Sequence, residues 1–214
     1  MTAALPSRSL REDAADALRR GIVTGDLVPG QKLREVALSQ DLGISRPTLR
    51  EALQRLVNEG LLVHEHNRGF SVATLDDDAI RDLATTRVLL DRAAVQGIWA
   101  DPARLDEVSA AWDEYTAHDV SDPLDRHDAH LRLHQSLWEA SHNAVLVRLW
   151  PVTEALSTLA LAQDQALRQN PQRALDVHGE LIDAVLSQDP ERLEQALQRH
   201  THQSAEEFLT LRTS

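Results

Sequence analysis

The sequence predicts a mainly α protein in two parts: three helices closed by a β-hairpin, then an all-helical bundle. Three observations predict it. Apolar residues recur at helical spacing through most of the chain. The one stretch with a β pattern, "LLVHEHNRGFSVATL", lies at 61–75, and no convincing strand follows it. Charge divides at the same place. Residues 1–75 hold ten Lys+Arg against nine Asp+Glu, and the remainder holds twelve against twenty-five. A near-neutral unit is thus joined to a strongly acidic one, an asymmetry that points to two jobs.

The 214 residues suit one large domain or two small ones. We place the division at 1–75 and 76–214. No run of eighteen apolar residues exists, and the opening "MTAALPSRSLRED" lacks the apolar block of a signal peptide. The expectation is a cytoplasmic protein without a membrane partner. The absence of cysteine excludes disulfides, thiolate metal ligands and a cysteine nucleophile.

Leu10, Ala14, Leu18 and Ile22 share one face, so residues 9–24 read as an amphipathic helix. "GDLVPGQKL" breaks it, and a second short helix fits 34–41. "LGIS" at 42–45 makes a tight turn in which Gly43 is free to take positive φ. A third helix begins at "RPTLREALQRLVNEG", with Ser45 as its cap, Pro47 in its first turn and Gly60 at its end. "HNRG" is a hairpin turn signal between two apolar runs. This order of elements makes a winged helix-turn-helix. Arg46, Arg50 and Arg55 stand on the outer side of the third helix. An arginine fork reads guanine O6 and N7 in the major groove or neutralises phosphate. Exposed arginines alone are usually a solvated helix face. Turn, helix and wing together point to double-stranded DNA.

Beyond Asp76, helices read at 76–99, 102–118, 123–141, 144–168, 172–187 and 190–211. Asp101-Pro102 and Asp122-Pro123 are cap-plus-proline pairs, and Asn143 is a further cap. Pro151 predicts a kink or a late start in the fourth helix. Short connections imply antiparallel packing.

Eight of the ten histidines lie between 118 and 202. With His130 at zero, His127 and His134 lie about 60° and 40° away on the helix. Leu131, Leu133, Leu137 and Trp138 flank that arc, so these histidines point inward. His178 and His200 also sit on apolar faces. Each is eleven residues from position 189, between their helices, so an antiparallel pair sets them level. His130 and His134 have the i, i+4 spacing that chelates zinc on helices. Imidazoles from three helices suit a divalent transition metal such as Zn or Ni. The competing reading is core histidines satisfied by hydrogen bonds.

The stretch "LVPGQKLREVALSQDLGISRPTLREALQRLVNEGLLVHEHNRGFSV" resembles the DNA-binding domain of GntR-family transcription regulators. The resemblance implies that Arg46 and Arg50 make the main operator contacts, with Thr48, His66 and Asn67 beside them. Arg68 on the wing is a further candidate. Some family members carry a DNA-reading arginine where this sequence has Val36, and Arg34 is the nearby substitute. "TTRVLLDRAA", "LRLHQSLWEASHN" and "VHGELIDAVLSQDPERLEQALQRH" resemble the FCD ligand-binding domain of the FadR branch. In metal-binding members, an aspartate four residues before a histidine joins two later histidines. Carried over, the histidines are His134, His178 and His200, and the aspartate position is His130. A neutral ligand there leaves the site with one more positive charge and a stronger pull on an anion. Arg87 matches an inward arginine and is a candidate clamp for an effector carboxylate; its bland reading is a surface ion pair with Asp91. His127 is left a place behind the ligands or in the effector pocket.

The resulting expectation is a homodimeric, ligand-responsive regulator on a pseudo-palindromic operator, a repressor rather than an enzyme. Its effector would be a small organic acid. The alternatives are a metal-free small-acid sensor and a helical metalloenzyme with a winged-helix adaptor.

Overall fold

The computed structural model describes residues 9–118, 122–165 and 171–212. The chain divides into two compact units between Thr74 and Leu75.

In the first unit, α1 (Leu10–Thr24) begins at a reciprocal cap: Glu12 N donates to Ser9 Oγ, and Ser9 N donates to the Glu12 carboxylate. Gly25, at φ 83°, ends it in the left-handed region. The strand β1 (Lys32–Leu33) precedes α2 (Glu35–Asp41). After the turn at Gly43 (φ 64°) comes α3 (Arg46–Asn58), capped by Ser45. The wing is β2 (Leu62–Glu65) and β3 (Gly69–Val72). The sheet order is β1-β3-β2, antiparallel, with Leu62 opposite Val72 and Leu33 opposite Phe70. The strand β1 was not expected from sequence. Two residues are too few for an alternation pattern, and only pairing with β3 defines it. Leu18, Ile22, Leu49, Leu53, Leu56 and Phe70 form the buried centre of this unit.

The second unit is helical among its described residues: α4 (Asp77–Trp99), α5 (Arg104–Thr116), α6 (Pro123–Ala140), α7 (Ala144–Gln165), α8 (Pro171–Ser187), α9 (Pro190–Leu197) and α10 (Ser204–Arg212). A π-helical segment, Gln198–Gln203, joins the last two. Trp138, Leu133, Ile98, Leu181, Val185 and Leu197 anchor its core.

Three expectations need correction. Pro151 neither delays nor ends α7, because Asn143 Oδ1 accepts from Val145 N and Leu146 N and fixes the start earlier. Its exposed position lets the missing N–H do little harm. Asp101 does not cap α5 directly: it accepts from Ala103 N in a preceding turn, and the helix begins at Arg104. The helix expected over 190–211 is interrupted by the π segment. The end of the fourth expected helix, 166–168, lies outside the described residues. The segment Ala144–Ala162 is long and apolar enough to cross a membrane by length and composition. Here Leu146, Trp150, Ala155, Leu159 and Ala162 are buried within the unit, as in a core helix.

Close approach is required at Gly97. A Cβ there would lie 2.7 Å from the Ser141 carbonyl oxygen. Arg104 Nη1 ties the two backbones, donating to Gly97 O at 2.8 Å and to Ser141 O at 3.0 Å. Gly97→Ala is expected to lower stability by about 1–3 kcal/mol through overpacking. Chemical denaturation checks this; an unchanged midpoint would show that the backbones can part freely.

Candidate DNA-reading face and histidine centre

On α3, the buried residues Leu49, Ala52, Leu53 and Leu56 face the unit's core. The opposite side presents Arg46 and Arg50, both exposed and one helical turn apart. Ser45 Oγ accepts from Thr48 N and shares a 2.8 Å hydrogen bond with Thr48 Oγ1, so Thr48 is tied to the helix start. Arg50 Nε lies 3.6 Å from Glu35 on α2. Arg46 has no ion pair among the described residues. Arg55 donates to Glu59 at 2.9 Å, which turns it along its own helix. Arg34 is the exposed N-cap residue of α2, next to exposed Val36.

The wing tip is a tight turn in which Arg68 N donates to Glu65 O. Asn67 stands at φ 64°, a region its short polar side chain tolerates, and Gly69 at φ 80°. His66, Asn67 and Arg68 are exposed there. Arg68 pairs with Glu65 at 2.9 Å. His64 stacks on Phe70 with ring centroids 4.4 Å apart, so it braces the wing instead of extending from it.

The second unit brings four imidazoles together. His130 and His134 come from α6, His178 from α8, and His200 from the π segment. Ring centroids of the four lie 4.5–6.3 Å apart in every pairing. One nitrogen from each of His130, His134 and His178 falls within 4.8 Å of the others. His134 Nε2 and His200 Nε2 are 3.0 Å apart. His178 Nδ1 donates to the Ala174 carbonyl at 2.5 Å, which leaves its Nε2 as an acceptor. That Nε2 is buried without a partner, as are Nδ1 of His134 and Nδ1 of His200. One imidazole–imidazole hydrogen bond does not satisfy this many buried nitrogens.

Loss of hydration dominates the electrostatics. It pushes His130, His134 and His200 well below the ordinary imidazole range, helped by neighbouring imidazoles and the Arg87 cation. His178 is lowered to about 4, again by burial first. The four rings are therefore neutral, the form that lends a lone pair to a metal. Tetrahedral Zn–N bonds of about 2.0–2.1 Å place ligand nitrogens roughly 3.4 Å apart. His130, His134 and His178 are of the right donor type and close enough to hold a divalent cation, and His200 stands against His134 beside them.

Arg87 is not on the surface. It is 5% exposed and Asp91 3% exposed, and the two are paired at 3.2 Å. Asp91 also accepts from Trp138 Nε1 at 2.6 Å, and Arg87 Nη1 donates to Ser157 Oγ at 3.0 Å. The expected i, i+4 pair thus exists as a buried one. A buried lone charge is costly, and Asp91 cancels that of Arg87. His127 is buried and lowered to about 4 by loss of hydration. Its Nε2 meets Thr158 Oγ1 at 3.4 Å, and it does not line the cavity beside the cluster. That cavity is bordered by Arg87, His130, Ser157, His200 and Thr201. Ser157, Thr158 and Thr201 were missed from sequence, because hydroxyls on an apolar helix carry no periodic signal.

Comparison with known proteins comes to the same two units. The model for "Bacterial regulatory proteins, gntR family" matches residues 10–72, and that for the FCD domain matches 82–203. The HTH-type transcriptional regulator BphR of Paraburkholderia xenovorans (strain LB400) is 31% identical over 212 residues, covering 92% of this chain and 84% of its own. A protein named for regulation of the L-lactate dehydrogenase operon in Escherichia coli (strain K12) is 26% identical over 219 residues, covering 90% and 84%. Among solved structures, a GntR transcriptional regulator from Rhodococcus sp. RHA1 superposes with a TM-score of 0.74 at 26% identity, covering 95% of this chain and 99% of that one.

Proposed function

Because this chain belongs to the GntR family and carries an FCD domain, we propose that it is a homodimeric, cytoplasmic DNA-binding repressor released by a small organic acid bound at a histidine-held metal. As a member of this family it is a transcription regulator and not an enzyme. The reading assigns operator contacts to Arg46, Arg50 and Thr48 on α3, to His66, Asn67 and Arg68 on the wing, and to Arg34 beside them. Two copies of α3 reading two half-sites match a pseudo-palindromic operator.

One observation carries the sensing half: four neutral imidazoles converge, with buried nitrogens unpartnered, beside an arginine whose charge Asp91 already cancels. Without a cation this pocket offers an anion no net positive charge. His130, His134, His178 and His200 would hold a divalent metal, Zn or Ni by ligand type, which would supply the charge and a place for a carboxylate oxygen. Arg87 would orient the acid through its remaining N–H groups. His127 would support the cluster from behind. The name of the Escherichia coli relative, tied to a lactate operon, is in keeping with a small acid. A thermal-shift screen of small organic acids, with and without a chelator, tests this reading. Stabilisation by an acid that vanishes with the metal is expected. Equal stabilisation after chelation would establish the metal-free sensor in its place.

Dimerisation is assigned to α7. Val145, Leu149 and Val152 are exposed at i, i+4 and i+7, one apolar stripe beside the buried one. Leu149→Glu with Val152→Glu is expected to give a monomer by light scattering and to weaken operator binding. A dimer that survives both charges would rule out this face.

A further inference from the structure

The cavity beside the four histidines is bordered mainly by apolar side chains, with Arg87, His130, Ser157, His200, Thr201 and Ser204 as its polar members. Thr201 Oγ1 and Arg87 Nε are buried there without hydrogen-bond partners. The other walls come from Ile80 and Leu83 of α4, Leu161 of α7 and Phe208 of α10, with alanines between them. His200 and Thr201, successive residues of the π segment, both border this cavity. The cavity holds about 130 Å³.

From this we infer that the site takes a monocarboxylate with an apolar body such as a phenyl ring or a branched short chain. The inference rests on the proposed acid-at-metal reading and narrows it. The carboxylate lies against the histidine end, where unpartnered donors wait. The body lies among Ile80, Leu83, Leu161 and Phe208, the bulky apolar part of the lining. A second carboxylate or a run of hydroxyls placed against those four side chains finds no hydrogen-bond partner on them. A hydrophobic pocket rewards each fitting methylene roughly 10-fold or more. Dicarboxylates and sugar acids are therefore poor ligands for this chain.

Calorimetry on the full-length, metal-loaded protein tests the inference with acetate, 3-methylbutanoate, phenylacetate, succinate and gluconate. Affinity is expected to rise at least about 10-fold from acetate to one of the two apolar acids, and to fall for succinate and gluconate. Leu83→Gln, at a half-buried wall position, is expected to flatten that rise. Succinate or gluconate binding as tightly as the apolar acids would overturn the inference and leave the proposed function standing. If metal is retained and no acid binds, both fall.

Discussion

Arg50→Ala is expected to weaken operator binding by roughly 10- to 100-fold, the range for losing one arginine fork on a guanine. The side chain is 54% exposed on α3, and its ion-pair partner among the described residues is Glu35 at 3.6 Å. Removing it leaves Leu49, Leu53 and Leu56 untouched, so the fold survives. The proposed metal site lies in the other unit, so metal content is expected not to change. Arg50→Lys separates the two ways an arginine binds DNA. A lysine keeps the phosphate charge but loses the fork, so it restores salt-dependent, non-specific affinity without restoring sequence preference. Gel shift and fluorescence anisotropy at two salt concentrations check this. Unchanged affinity for the Ala variant would move DNA reading away from α3.

His134→Ala is expected to empty the proposed metal site. His134 is fully buried, sits beside all three other rings, and contacts His200 directly. Elemental analysis of the purified parent should give about one divalent metal per chain, the count for one tetrahedral centre. The variant should give almost none. Circular dichroism must show that the helices persist, since the variant also opens a cavity in the core. His130→Asp is the complementary change. It puts a carboxylate where related metal-binding domains have one, so metal should stay. The site's charge then falls by one, and a carboxylate effector should bind more weakly. Parent protein without metal when purified from metal-supplemented cells would leave the four histidines as a structural cluster.

Much of this was legible in the chain itself, for identifiable reasons. Ser45, Pro47 and Gly43 announce α3 because cap, first-turn and positive-φ positions each demand particular residue types. "HNRG" announces the wing by the same logic. Helical phase made His130, His134, His178 and His200 inward, and the shared distance from position 189 set two of them level. Periodicity could not supply what depends on pairing across the fold. The strand β1 exists only as a partner of β3. The π segment, which carries His200 and Thr201, appears in no residue preference. Arg87 and Asp91 had the spacing of an ordinary surface pair. Trp138 and Ser157, distant in sequence, make that pair a buried one.

By itself, then, the sequence determined the two-part architecture, the third helix of the first unit and the inward set of histidines, because caps, turns and helical phase are local properties. Only the tertiary structure decided which histidines touch, that the charge of Arg87 is cancelled, and that the adjoining cavity is lined mainly by apolar side chains. Those facts depend on side chains from α4, α6, α7, α8 and the π segment meeting in one low-dielectric place. There, distance and burial set the energy, and neither can be read from position along the chain.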